Sequence, residues 1–134
     1  MIKKFRKFFS AKLAFLLFVI AAFVGLFYHF LIITQIVPYA NAWGGRLPNL
    51  QAMYIFEAIS VLMQLIFLAI ATMKHRNVAG KKTQKALSYA LFFLSALLLL
   101  NTFGNIFSTS RFEAILFTPI TLVMSVVAFR LALE

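Results

Sequence analysis

The thirteen lysines and arginines of this chain are placed so unevenly that they set its relation to a membrane before any motif is read. Lys3, Lys4, Arg6, Lys7 and Lys12 precede the first apolar stretch, and Lys74, Arg76, Lys81, Lys82 and Lys85 fall in one short polar segment. Only Arg46, Arg111 and Arg130 lie elsewhere. Short loops rich in Lys and Arg stay on the cytoplasmic side. The amino terminus and the segment from Lys74 to Lys85 are therefore expected inside, and the chain between them must cross twice.

Four apolar runs complete that reading: Leu13 to Ile33, Gln51 to Met73, Ala86 to Phe107 and Ala114 to Leu133. Each is close to the roughly 20 residues that a helix needs to cross a bilayer core. With 63% of residues apolar and 12% charged, the composition belongs to a membrane protein and not to a soluble domain. The expected fold is a single all-α domain spanning residues 1–134, an integral membrane four-helix bundle with both termini inside. The external loops, from Thr34 to Leu50 and from Ser108 to Glu113, then carry Arg46 and Arg111 alone. A basic start followed by Ala40-Asn41-Ala42 resembles a cleavable leader, but the first apolar run exceeds the roughly 7 to 15 residues of a signal core, so it is read as a span.

A net charge of +10 does not indicate nucleic acid, because the basic residues flank spans on one side and are not interleaved with stacking aromatics. The expected partners are membrane lipids, including anionic headgroups on the cytoplasmic side, where each Lys or Arg contributes about 1 kcal/mol. A second copy or a larger membrane protein is a further partner compatible with a chain of 15.2 kDa. Cysteine is absent, which excludes thiol–disulfide chemistry, and aspartate is absent as well, which excludes a catalytic aspartate pair. His29 and His75 fall on opposite sides of the membrane, so no haem or metal site is expected. His75 is read as solvated among the inner lysines, and Arg130 as a residue that snorkels to the inner surface.

Polar residues inside the spans form stripes at helical spacing. Glu57, Ser60 and Gln64 share one face of the second span; Asn101, Asn105 and Ser108 share one face of the third; Thr118, Thr121 and Ser125 repeat the pattern in the fourth. The first span answers with Ala22, Gly25 and His29. At about 1.5 Å per residue, Glu57 and Asn101 lie roughly 9 Å below the outer ends of their spans, and His29 and Thr118 slightly shallower. One polar group from each helix thus falls in one outer layer.

Glu57 carries most weight, because a carboxylate in a span must be paired, hydrated or protonated, and such residues mark ion paths, proton relays or ligand contacts. A purely structural partner for it would be Arg46, Arg111 or Asn101. Between the first two spans, Pro38-Tyr39-Ala40-Asn41-Ala42-Trp43-Gly44-Gly45-Arg46 is rich in turn formers. Gly44 and Gly45 permit a tight fold-back, so this loop, with Trp43, is expected to cap the polar layer and bring Arg46 to Glu57 or to an anionic ligand. Tyr39 and Tyr54 alone read as interfacial aromatics. In the fourth span Ser110 and Glu113 have the spacing of a capping box, and Pro119 should free the carbonyl of Ile115 beside the polar layer.

The segments Trp43 to Leu47 (WGGRL), Phe56-Glu57, Leu100 to Asn105 (LNTFGN) and Phe117 to Thr121 (FTPIT) resemble a family of uncharacterised small four-span bacterial membrane proteins. The resemblance implies the same architecture and a bacterial inner membrane, and no activity. Taken together, the expected function is binding or transport of a small molecule or cation at an outward polar pocket of Glu57, Asn101, Asn105, Thr118, Arg46, His29 and Gln64. The alternative is an accessory subunit of a larger membrane complex, docking through its phenylalanines and the Ala21/Gly25 spacing. A lipid-acting enzyme has least support, since one carboxylate without a nucleophile or metal is not a mechanism.

Overall fold

The protein was analysed as a computed structural model that describes residues 2–134, the side chain of Glu113 excepted. Five helices follow in order: α1 (Ile2–Phe8), α2 (Ala11–Ile33), α3 (Leu50–Arg76), α4 (Lys81–Ile106) and α5 (Arg111–Ala132). The last four are long and apolar enough to cross a membrane. They form the expected four-helix bundle, packed in the ring order α2–α3–α4–α5 with α5 returning against α2.

The helix ends follow local chemistry. Ser10 is extended and accepts from the Leu13 amide at 3.2 Å, which starts α2 and separates it from the short basic helix α1. Asn49 does the same for α3, accepting from Ala52 N at 2.8 Å. Lys74, His75 and Arg76 occupy the last turn of α3, where cations suit the helix dipole, and Asn77 closes it in the left-handed conformation. The pairing expected between Ser110 and Glu113 lies outside the described residues.

Outward faces carry exposed apolar stripes at helical spacing, such as Leu16, Ile20, Phe23 and Phe27 on α2 and Ile55, Ile59, Leu62 and Ile66 on α3. These are the surfaces a lipid would cover. Inside, the apolar core sits toward the basic end: Ala14 and Phe18 of α2, Phe67 and Ala71 of α3, Leu91 and Leu94 of α4, and Val127, Ala128 and Leu131 of α5. A smaller cluster of Ile32, Ala42 and Met53 supports the α2–α3 loop at the opposite end.

Hydroxyl groups fasten α4 to α5. Ser95 Oγ donates to Ser125 O and Ser125 Oγ to Ser95 O, both at 2.8 Å, and Thr102 Oγ1 donates to Thr121 Oγ1 at 2.9 Å. Small polar residues give close backbone approach and interhelical bonds where lipid supplies no competing water.

Two basic-end expectations are corrected. Arg130 does not snorkel; it is buried, its Nε donates to the Phe9 carbonyl, and its Nη1 reaches Glu134 Oε1 at 2.7 Å. The break at Ser10 leaves carbonyls at the end of α1 without helical partners, and the guanidinium satisfies one of them. His75 is not simply solvated, since its ring stacks on Phe15 with centroids 4.2 Å apart.

Candidate functional site

Between the basic-end core and the loop end lies a cavity of about 630 Å³ to which all four long helices contribute. Its lower wall is apolar, with Phe18, Phe67, Leu94 and Met124, and its roof includes His29, Trp43, Arg46 and Glu57.

The α2–α3 loop forms this roof through an unusual backbone. Trp43, Gly44 and Gly45 are consecutive left-handed residues, with φ of 55°, 69° and 70°. For a bulky residue such as Trp43 that conformation costs about 1–3 kcal/mol and persists only where the surroundings impose it. The imposing contact is visible: the indole Nε1 donates to Glu57 Oε1 at 2.7 Å, and the ring meets Phe56 edge to face. On the far side, Thr109 Oγ1 donates to the Gly44 carbonyl, joining the α4–α5 loop to the lid. A Cβ at Gly45 would stand 2.7 Å from Thr109 Oγ1, so this position is closed to larger residues by contact as well as by conformation.

Glu57 is fully buried, and its second oxygen lies 2.5 Å from His29 Nδ1. That separation requires a proton between the two groups. Neither arginine takes this role: Arg46 lines the cavity but is exposed, and Glu57 is held by an imidazole and an indole, not by a guanidinium or by Asn101. The reason is geometric. His29 is in the same layer on the adjacent helix and needs no long reach, whereas the Arg46 side chain runs back over Gly44.

Of the remaining expected site residues, Asn101, Asn105 and Gln64 line the same cavity. Asn101 is exposed and Asn105 donates to Thr121 Oγ1 at 3.4 Å. Gln64 Nε2 donates to the Ala22 carbonyl at 2.9 Å, a closeness permitted by Gly25, and its Oε1 is buried without a partner among the described residues. Thr118 is not brought in; its buried hydroxyl has no partner among the described residues and it does not line the cavity. Pro119 lies within a continuous α5, and both it and Ile115 are exposed and off the cavity, so the freed carbonyl is on the outer face of the helix. Ala21 and Gly25, considered above as a docking face, line the cavity instead.

Sequence reasoning did not pair His29 with Glu57, although their similar depth on antiparallel neighbours was the available signal. It also missed Thr121 as the hub of the α4–α5 seam. No group of three or more metal-binding side chains occurs among the described residues. Compared with known protein families, curated proteins and solved structures, the chain has no match.

Proposed function

We propose that the protein is a bacterial inner-membrane binding protein whose cavity opens toward the external side and holds a small molecule beneath the Trp43 lid. The observation that carries this reading is one cavity lined by every long helix, with a buried Glu57–His29 pair at its roof and an apolar floor. Its volume of about 630 Å³ falls within the range of small-molecule sites, which are mostly apolar with a few placed polar groups. Gln64 Oε1, an acceptor without a partner among the described residues, and the imidazole of His29 on the cavity wall are the groups an occupant would engage. Both oxygens of Glu57 are already bonded, which favours a molecule over a bare cation at the carboxylate. The charge bias of the basic segments supports the inside position of both termini, and the resemblance to small four-span bacterial proteins supports the inner membrane.

Because the chain has no cysteine, a single one at Ser60 or Asn101 can be labelled in intact cells with a membrane-impermeant thiol reagent. Labelling is expected from the external side. Absence of labelling at both positions, with a cysteine at Asn41 labelled as a control, would refute an external cavity.

A further inference from the structure

The four seams of the bundle are not equally closed at the level of the cavity. Gln64 crosses from α3 to the Ala22 carbonyl of α2. Tyr28 of α2 packs on Phe117 of α5 with ring centroids 4.8 Å apart. The Thr102–Thr121 and Ser95–Ser125 bonds bind α4 to α5. Between α3 and α4 the hydrogen bonds among the described residues, Lys74 Nζ to Gln84 O and Gln84 Nε2 to Met73 O at 3.4 Å each, lie at the basic end. Higher up, cavity-lining residues on these two helices keep accessible surface: Met63 is 39% exposed, Leu97 37%, and Asn101 and Gly104 are exposed. A Cβ at Gly104 would meet nothing nearer than Asn101 Oδ1 at 4.0 Å. At cavity depth, α3 and α4 are thus joined by no hydrogen bond among the described residues.

The cavity presents two groups that ask for opposite chemistry. Gln64 Oε1 is a buried acceptor with no donor among the described residues. Such a group costs about 1–3 kcal/mol unless a donor reaches it. Arg46 is a cation at the roof with no carboxylate partner among the described residues. A ligand satisfying both carries hydroxyl donors and an anionic centre, and a seam flanked by Met63 and Leu97 suits an apolar chain.

Resting on the cavity reading above, we propose that the α3–α4 seam is a lateral portal, through which the cavity takes the hydroxyl-bearing anionic head of a membrane lipid whose acyl chains stay in the leaflet. Arg46 meets the phosphate, Gln64 Oε1 accepts from a head hydroxyl, and Met63 and Leu97 flank the chains.

The test follows the rate of thiol modification at a Ser60→Cys variant in nanodiscs, relative to an Asn41→Cys control that corrects for surface charge. Raising phosphatidylglycerol in phosphatidylcholine is expected to slow Ser60→Cys modification saturably, by about tenfold, while phosphatidylcholine alone gives no protection. Arg46→Gln should raise the phosphatidylglycerol needed by roughly fivefold, the size of one charge contact near an anionic surface. Gly104→Trp, whose Cβ meets nothing nearer than Asn101 Oδ1 at 4.0 Å and whose ring would block the seam, should abolish protection, with circular dichroism and thermal unfolding confirming that the variant folds. Equal modification in both lipids, or protection that survives Gly104→Trp, overturns the portal. Protection by soluble glycerol 3-phosphate equal to that by the lipid also overturns it, because the chains would then be irrelevant. Modification in phosphatidylcholine without lipid protection removes this proposal and leaves the cavity; no modification in either lipid removes both.

Discussion

Trp43 holds Glu57 from above, its indole nitrogen 2.7 Å from Oε1, although the two residues belong to a loop and a span 14 positions apart. The contact is the anchor of a left-handed loop, so removing it acts on both sides. Trp43→Phe leaves a buried carboxylate oxygen without its donor and is expected to lower stability by about 1.5–3 kcal/mol, the usual range for a hydrogen bond to a charged group. Thermal unfolding followed by circular dichroism checks this. A loss below about 0.5 kcal/mol would show that the lid is held elsewhere.

Glu57→Gln keeps an acceptor for the indole but turns an amide N–H toward His29 Nδ1. The imidazole must then move its proton to Nε2. The expected result is a folded protein whose His29 carries its proton on Nε2, read from the imidazole nitrogen chemical shifts. A proton on Nδ1 would mean that the amide has flipped and the Trp43 contact has been lost instead.

Gly45→Ala places a methyl group 2.7 Å from Thr109 Oγ1 at a φ of 70°. A loss of about 1–2 kcal/mol is expected, together with a red shift in the emission of the lone tryptophan as the lid lifts. Gly80→Ala is the control, because a Cβ there meets nothing within 4 Å and stability should stay within about 0.5 kcal/mol.

The reciprocal bonds between Ser95 and Ser125 should couple energetically. Ser95→Ala and Ser125→Ala are each expected to cost about 0.6 kcal/mol, up to roughly 1.7. The double variant should cost less than the sum, because each substitution already removes half of the pair. Additive losses in a double-mutant cycle would contradict the paired geometry.

Arg130→Met removes the donor to the Phe9 carbonyl and the ion pair to Glu134. The junction between α1 and α2 should loosen, so that trypsin cleaves at Lys3, Lys4, Arg6 and Lys7 several-fold faster than in the parent. Unchanged cleavage would mean that the contacts of Phe5 with Phe9 and Phe129 suffice to hold α1.

Hydropathy alone delimited the spans, because a helix in lipid must be apolar along its whole length, and the observed helices overrun the expected segments only at their polar ends. The stripes of Glu57 and Gln64 and of Asn101 and Asn105 were legible for the opposite reason, since a polar residue in a span is rare enough to mark an inward face. What could not be read was pairing. Whether Glu57 meets Arg46 or His29 depends on the rotation of α2 and α3 and on a backbone conformation at Trp43 that no residue preference announces. Thr118 and Thr121 differ by three positions and share a stripe, yet the tight α4–α5 seam takes Thr121 and leaves Thr118 off the cavity. Arg130 misled because its stem could reach the membrane surface; the Phe9 carbonyl, created by the break at Ser10, lies 121 positions away.

The closed basic end has a kinetic consequence. Leu91, Ala128 and Leu131 have no exposed surface, and Val127 almost none, so a solute arriving at that wall cannot pass on to the basic side. The proposed ligand would then exchange only on the loop side of that wall, and vesicles containing this protein alone should show no net flux of it to the other face.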